Sequence, residues 1–274
     1  MEKGILYIVA TPIGNLEDIT LRALRVLREA DIIAAEDTRR TAKLLNHFEI
    51  KKQMVSFHEH SQEGRYDALL QMLEQGKQVA LLSDAGTPLI SDPGEELVRR
   101  CIQREILVES VPGACAAIAG LTVSGISARR FLFLGFLDSR QGARQKQLLA
   151  AAEAECTCVA YESPNRIIKA MEDIESVFGA EAQVSVLREL TKLHEEKLYG
   201  SAAEVKQQLL EKESVKGEFV VVIGRAEKKP LTDEQLLAYA KEYIAAGASR
   251  KDAAKKIAEE FGASKNRVYG LINK

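Results

Sequence analysis

QVALLSDAGTPLISDPGEELVRRCIQREILVESV (78–111) is the stretch on which the fold turns. It begins with a short apolar run, QVALLS, and passes through a loop of Ser, Asp, Gly and Pro. An amphipathic stretch, EELVRRCIQRE, follows, and then a second apolar run, ILVESV. Short, nearly unbroken apolar runs suit strands covered on both faces, and the stretch between them has the length and spacing of a helix. Units of this kind, repeated, build a largely parallel sheet.

The same alternation runs backwards to residue 4: GILYIVA then ITLRALRVLREA, DIIAAE then TRRTAKLLNHF, MVSF then YDALLQMLEQG. It continues to ACAAIAGLTVS. A second series opens at Phe131, with FLFLGF, TCVAYE, AQVSVLREL and EFVVVIG as strands and ARQKQLLAAAEAE, NRIIKAMEDIESVF and AAEVKQQLLE as helices. This second series reads as another α/β domain, with room for a mixed sheet. The expected division is 1–126, 127–228 and 229–274, the joint falling where small residues give way to Arg129 and Arg130 and the second break at KKP (228–230). The fold class is α/β: two domains and a small helical appendage.

The composition of the 274-residue chain, 46% hydrophobic and 28% charged, supplies more than one core and excludes disordered and fibrous architectures. A formal charge of −2 excludes a polycation built to coat nucleic acid, so any basic surface is local. Four cysteines, Cys101, Cys115, Cys156 and Cys158, show no CxxC spacing, and the four histidines do not complete a zinc pattern. No metal is expected. Cys156 and Cys158 share a strand face and read as small apolar packing groups. The longest apolar segment, Ala114 to Ile126, is too short to span a bilayer, and no leader peptide is apparent, so the expectation is a cytoplasmic protein with no membrane partner.

Three Gly/Pro loops follow strands of the first series: TPIGN (11–15), SDAGTPLISDPG (83–94) and VPGACAA (111–117). In a parallel sheet all three emerge at the carboxyl edge, where ligands bind. The middle loop is long for a connection of this kind, and its composition fixes the backbone while leaving N–H and C=O groups free. No GxxxxGK[ST] or GxGxxG is present, which disfavours a nucleoside triphosphate. Glu36 and Asp37 lie where a dinucleotide fold places its ribose-binding acid, but a single glycine in the first loop does not make that case. A nucleoside without phosphates fits better.

The segment from Leu231 carries no strand pattern. In KKIAEEFGASKNRVYGLI, Ala258, Gly262 and Val268 have the spacing of a helix-turn-helix, with Ile257, Leu271 and Ile272 as further core contacts. From Ala248 onward Arg250, Lys251, Lys255, Lys256, Lys265, Arg267 and Lys274 outnumber the acids Asp252, Glu259 and Glu260 by four. That excess suits phosphate contact; solvated lysines on a packing module are the plainer alternative.

Taken in order, ILYIVATPIGNLEDIT, AAEDTRRTAKLL, SFHEH, LLSDAGTPLISDPG, VPGACAAIAGLTVSG and GEFVVVIG resemble the RsmI family of ribosomal RNA small subunit (cytidine-2′-O)-methyltransferases, in the tetrapyrrole methylase superfamily. The resemblance covers essentially the whole chain. It implies a tetrapyrrole methylase-like fold that binds S-adenosylmethionine between its two domains, acts on small-subunit ribosomal RNA or the assembled 30S subunit, and forms a homodimer. It also implies cofactor-binding roles for Pro12, Asp84, Thr87, Ile90, Ser91, Ala114 and Ala116, with Tyr161 and Glu162 from the second domain. ATPIGN lacks the GxGPGD-like first loop of the tetrapyrrole branch, which favours the RNA branch.

Methyl transfer to a hydroxyl requires oxygen, methyl and sulfur in line and a destination for the hydroxyl proton. Asp37, His58, Glu59 and Glu189 are the candidate bases, with Asp37 and His58 preferred. Each has a structural alternative: Asp37 as a helix cap, His58 in packing, Glu189 paired with Arg188. Arg39 is the preferred phosphate-positioning residue among Arg39, Arg40, Arg129, Arg130, Arg166 and Arg188. A methyltransferase for a tetrapyrrole or other metabolite, and a ligand-sensing DNA-binding regulator, are the alternatives from other classes.

Overall fold

The computed structural model describes residues 2–58, 63–212, 214–225, 232–261 and 263–273, with the backbone alone at 259 and 260. The chain divides into two compact units, Met1–Arg225 and Ala226–Lys274. Both α/β series expected from the sequence lie inside the first.

Five parallel strands form the first sheet: β1 (Ile5–Val9), β2 (Ile32–Ala35), β3 (Gln53–Ser56), β4 (Val79–Leu82) and β5 (Leu107–Val111), in the order β3-β2-β4-β1-β5. All four residues of β2 and of β4 are buried, as their unbroken apolar runs require. Alternate side chains serve opposite faces. Ile32, Ala34, Val79 and Leu81 join Leu69, Leu73 and Leu97 from α3 (Glu63–Glu74) and α4 (Glu95–Gln103). Ile33, Ala35, Ala80 and Leu82 join Val26, Leu27 and Leu45 from α1 (Leu21–Glu29) and α2 (Thr38–His47). A fully buried leucine of this kind contributes about 2 kcal/mol. Thr20 starts α1, its hydroxyl accepting from the Ala23 N–H at 3.1 Å.

The second sheet is mixed: β6 (Phe131–Phe136), β7 (Thr157–Glu162), β8 (Gln183–Arg188), β9 (Glu196–Ser201) and β10 (Phe219–Ile223), in the order β6-β7-β10-β8-β9. Only β6 and β7 run parallel. Strand β9 was not expected from the sequence. α6 (Gln141–Glu153), α7 (Ile167–Phe178) and α8 (Ala202–Leu210) accompany this sheet, α8 opening on a capping box of Ser201 and Glu204.

α5 (Ala116–Val123) follows β5 but packs on the second sheet: Ala117 and Leu121 meet Val159, Leu187, Val220 and Val222, and Ile13 joins them from the loop after β1. Contact is so close that a Cβ on Gly120 would sit 2.7 Å from Val220 Cγ1. The two sheets are therefore joined through a common core beside the carboxyl edge of the first.

A buried ion pair ties α6 to α7. Arg144 Nη2 lies 2.6 Å from Asp173 Oδ2, with both side chains 3% exposed, and Gln145 Nε2 donates to Asp173 Oδ1 at 2.8 Å. Arg144 Nη1 also donates to the carbonyls of Asp138 and Ser139, fixing the loop after β6.

The second unit contains α9 (Asp233–Ala245), α10 (Arg250–Phe261) and α11 (Lys265–Ile272) around Leu236, Ala240, Ala254, Ile257 and Val268. Val268 is wholly buried and Ala258 partly so; Gly262, the expected turn residue, lies outside the described residues. Arg267 is bound to Asp233 at 2.6 Å and Arg250 to Asn273 at 3.1 Å, which removes both from the simple count of phosphate contacts. No helix among the described residues is long and apolar enough to cross a membrane.

Candidate functional site

The three loops that leave β1, β4 and β5 converge because those strands are neighbours in the sheet. Their convergence is hydrogen-bonded. Thr11 and Gly86 exchange backbone bonds of 2.8 and 3.0 Å, and Thr87 Oγ1 donates to the Ala114 carbonyl at 2.9 Å. Gly86 takes φ +85°, where a Cβ would also press on Ile13, so glycine suits the crossing. Beyond it Leu89 and Ser91 are left-handed, with φ 73° and 65°, and bend the loop so that both halves face the same space.

The second sheet closes that space. Tyr161, near the end of β7, has its hydroxyl 3.0 Å from the Ala117 N–H, which donates to it, and its ring meets the edges of Phe133 and Phe136. Ala117 N–H belongs to the first turn of α5 and has no intrahelical acceptor, so the tyrosine supplies one. Burial pushes the Tyr161 phenol up. Glu162 follows, with a fully buried side chain. Its Oε1 accepts from the Ser163 N–H at 2.7 Å and lies 2.8 Å from Arg166 Nη2, while Arg166 Nη1 donates to the Leu137 carbonyl. Glu162 Oε2 is buried and has no hydrogen-bond partner among the described residues. An acceptor left in that state costs about 1–3 kcal/mol until a donor arrives.

The result is a cleft of ≈ 360 Å³ with apolar walls from Ile13, Ile90, Leu187, Phe219 and Val220 and polar groups from both sheets. Of the residues selected from the sequence, Asp84, Thr87, Ile90, Ser91, Ala116, Tyr161 and Glu162 line it. Ala114 stands one bond behind, holding Thr87, and Pro12 lies between Thr11 and Ile13 without entering the lining.

Asp37, Arg39 and His58 are not brought into this lining. Asp37 is the N-cap of α2, accepting from the Arg39 N–H at 2.8 Å, and its two oxygens take the Arg39 guanidinium at 3.2 and 3.0 Å. The Arg39 side chain holds this carboxyl down to about 2, which makes it a poor proton acceptor at neutral pH. Its backbone N–H donates to Asp84 Oδ1 at 3.0 Å, so the cap and the cleft share a support. Arg39 is 89% exposed. His58 is exposed after β3, and Glu59 lies outside the described residues. Glu189 binds Lys192 at 2.9 Å, whereas Arg188 turns to Glu196, so the expected Arg188–Glu189 pair is not formed.

Sequence reasoning missed Lys192 and Asp92 in the cleft lining; it named Arg40 only as one of several phosphate-positioning arginines, and weighed Glu36 only as the ribose-binding acid of a dinucleotide fold, which it set aside. Arg40 is bound to Asp84 at 3.2 Å. Burial, and then the charges of Glu36 and Asp84, lift Asp92 to about 6 against a hydrogen bond from Ser83; burial also raises Glu36. Asp92 sits in the motif that attracted attention, but there its type suggested a turn. Among the described residues no three His, Cys, Asp or Glu side chains converge to hold a metal ion.

Comparison with known proteins agrees with this architecture. The family model for tetrapyrrole (corrin/porphyrin) methylases matches residues 5–206. Ribosomal RNA small subunit methyltransferase I of Pasteurella multocida (strain Pm70) is 47% identical over 270 residues, 97% of this chain and 95% of that protein. Its counterpart in Synechocystis sp. (strain ATCC 27184 / PCC 6803 / Kazusa) is 44% identical over 271 residues, 98% of this chain and 97% of that protein. Among solved structures, uroporphyrin-III C-methyl transferase from Thermus thermophilus complexed with S-adenyl homocysteine superposes with a TM-score of 0.57. It is 21% identical and covers 81% of this chain and 98% of that one, a likeness of fold.

Proposed function

This chain belongs to the ribosomal RNA small subunit methyltransferase I family, within the tetrapyrrole methylases, and we propose that it methylates small-subunit ribosomal RNA with S-adenosylmethionine as donor. The acceptor is the ribose 2′-hydroxyl of a cytidine. The observation that carries the reading is the cleft itself, where three backbone-rich loops meet a buried carboxylate whose second oxygen lacks a donor.

These residues fit the donor. A nucleoside carrying an amino-acid chain offers hydroxyl and amino N–H donors to Glu162 and to loop carbonyls, and apolar surface to Ile13, Ile90 and Leu187. Asp84, Thr87, Ile90, Ser91, Ala116, Tyr161 and Glu162 are the residues that would hold it, with Pro12 and Ala114 bracing the loops. When bound it supplies an electrophilic methyl group on a sulfonium. The chain contributes alignment, because its loops are cross-linked by backbone bonds before any ligand enters. Asp37 acts in this proposal through Arg39, which it orients, and His58 through the charge of Glu36, on which it acts electrostatically. Arg39 meets RNA phosphate.

Arg39→Ala is expected to lower kcat/KM for ribosomal RNA about tenfold and to change the Kd for S-adenosylmethionine less than twofold. Methyl-transfer kinetics and calorimetry read the two effects separately. Equal loss of donor affinity would move Arg39 to the donor side.

Exposed Lys251 and Lys265 in the helical unit support phosphate contact by the tail. A homodimer belongs to the same proposal: β6 is an edge strand with Phe131, Leu132 and Phe136 exposed, an apolar strip that a second copy would cover.

The test of function is transfer of labelled methyl from S-adenosylmethionine to assembled 30S subunits and to naked small-subunit RNA lacking the modification, followed by nucleoside analysis. Label in 2′-O-methylcytidine is the expected result. No label in either RNA, with donor binding intact, would redirect the reading to small-molecule acceptors.

A further inference from the structure

The cleft carries more negative charge than its own cations balance. Of the carboxylates that line it, Asp84 is bound to Arg40 at 3.2 Å, Glu162 to Arg166 at 2.8 Å and Glu218 to Lys192 at 2.8 Å. Glu36 and Asp92, on the loops after β2 and β4, have no salt-bridge partner among the described residues. The Asp84 N–H donates to Glu36 Oε2 at 3.3 Å, Arg40 and His58 reach Glu36 through space, and Asp92 takes a hydrogen bond from Ser83. Two acids left without a counter-ion in a partly enclosed, apolar-walled space raise the local field, and a cation is what lowers their energy.

A second observation in the same cleft points to a ligand independently of these charges. The buried Glu162 Oε2 has no donor among the described residues, so beside the two acids without a salt bridge the cleft holds an acceptor that awaits one.

We infer that Glu36 and Asp92 make this cleft selective for the cationic methyl donor over its neutral demethylated product. The inference rests on the donor-binding reading above and goes beyond it. S-adenosylmethionine and S-adenosylhomocysteine share the adenosine and the amino acid, and differ by one methyl group and one positive charge at sulfur. Contacts to the shared parts hold both alike. The charge is the difference that a carboxylate senses, and Glu36 and Asp92 are the lining carboxylates with no salt-bridge partner among the described residues. Methyl transfer leaves the bonding electron pair on sulfur, which becomes neutral, while the acceptor oxygen gains the methyl and passes its proton to water. At that moment the attraction of Glu36 and Asp92 for the sulfur position lapses, and the spent molecule is held by its shared contacts alone. The same attraction favours the bound donor over the transition state, in which the positive charge is already fading, so selectivity is obtained at some expense of rate.

The test is calorimetric titration of the full chain with three probes: S-adenosylmethionine, S-adenosylhomocysteine, and a donor analogue carrying an ammonium in place of the sulfonium. Asp92→Asn and Glu36→Gln are compared with the native chain. Each substitution is expected to raise the Kd for S-adenosylmethionine and for the ammonium analogue about tenfold, and that for S-adenosylhomocysteine less than twofold. All three probes titrate the same sample, so a partly unfolded variant lowers the number of sites and leaves the ratio of affinities unchanged. Equal weakening of all three probes would overturn the inference and assign the carboxylates to the shared adenosine or amino acid. An unchanged ratio with unchanged affinities would overturn it as well. Failure of the native chain to bind any probe would remove the donor-binding reading itself, an outcome distinct from the other two.

Discussion

Asp173→Ala is expected to destabilise the Met1–Arg225 unit by about 3–5 kcal/mol, because it leaves the Arg144 guanidinium buried without its counter-ion. The partner is not easily replaced. Arg144 is 3% exposed and cannot turn to water, and its remaining acceptors, the carbonyls of Asp138 and Ser139, are neutral. Gln141 and Gln145 lose their acceptor at the same time. For a unit of this size the loss corresponds to a fall in Tm of roughly 10 °C, measurable by calorimetry or by denaturant titration. The double replacement Arg144→Met with Asp173→Leu is expected to cost less than the single one, since removing both charges also removes the cost of burying them. A double variant as unstable as the single would show that packing, and not charge, dominates this contact.

Glu162→Gln is expected to weaken S-adenosylmethionine about thirtyfold while lowering Tm only slightly, the loss being about 2 kcal/mol for a charge-assisted bond. The amide keeps the shape of the acid. Yet the carboxylate accepts on both oxygens, one engaged by the Ser163 N–H and Arg166 and the other facing no partner. An amide has one accepting atom for these two positions. Turned one way, its NH₂ confronts Ser163 and Arg166; turned the other, it confronts the donor group of the ligand. Calorimetric titration separates the readings: unchanged affinity with a large fall in Tm would make Glu162 a support for Arg166 and the loop after β6, with no ligand contact.

The first sheet was legible because its inner strands β2 and β4 are buried throughout, and IIAA and VALL, like GILYIVA beside them, show this as unbroken apolar runs between amphipathic ones. Strand β9 was not, since EKLYGS alternates charged, apolar and small residues at a sheet edge and carries none of that signature. The order of strands and the antiparallel half of the second sheet depend on long-range pairing that no local pattern records. Loop composition pointed to the cleft: SDAGTPLISDPG has too many turn formers to be a mere connection, and residues 84–87 and 90–92 of it line the cleft. Individual acids were harder to read. Asp37, beside Arg39, looked reactive and is the N-cap of α2, whereas Glu36, weighed only for a dinucleotide fold that was set aside, and Asp92, read as part of a turn, line the cleft. The difference lies in which way a carboxylate turns after its strand, and that is decided by partners distant in sequence, such as Arg40 for Asp84.

The bond from the Ala117 N–H to the Tyr161 hydroxyl joins a helix that follows the first sheet to a strand of the second. That amide is therefore shielded from solvent exchange only while the two sheets stand together. Its deuterium uptake reports, at one backbone position and without any change to the sequence, how often the two sheets part at the cleft.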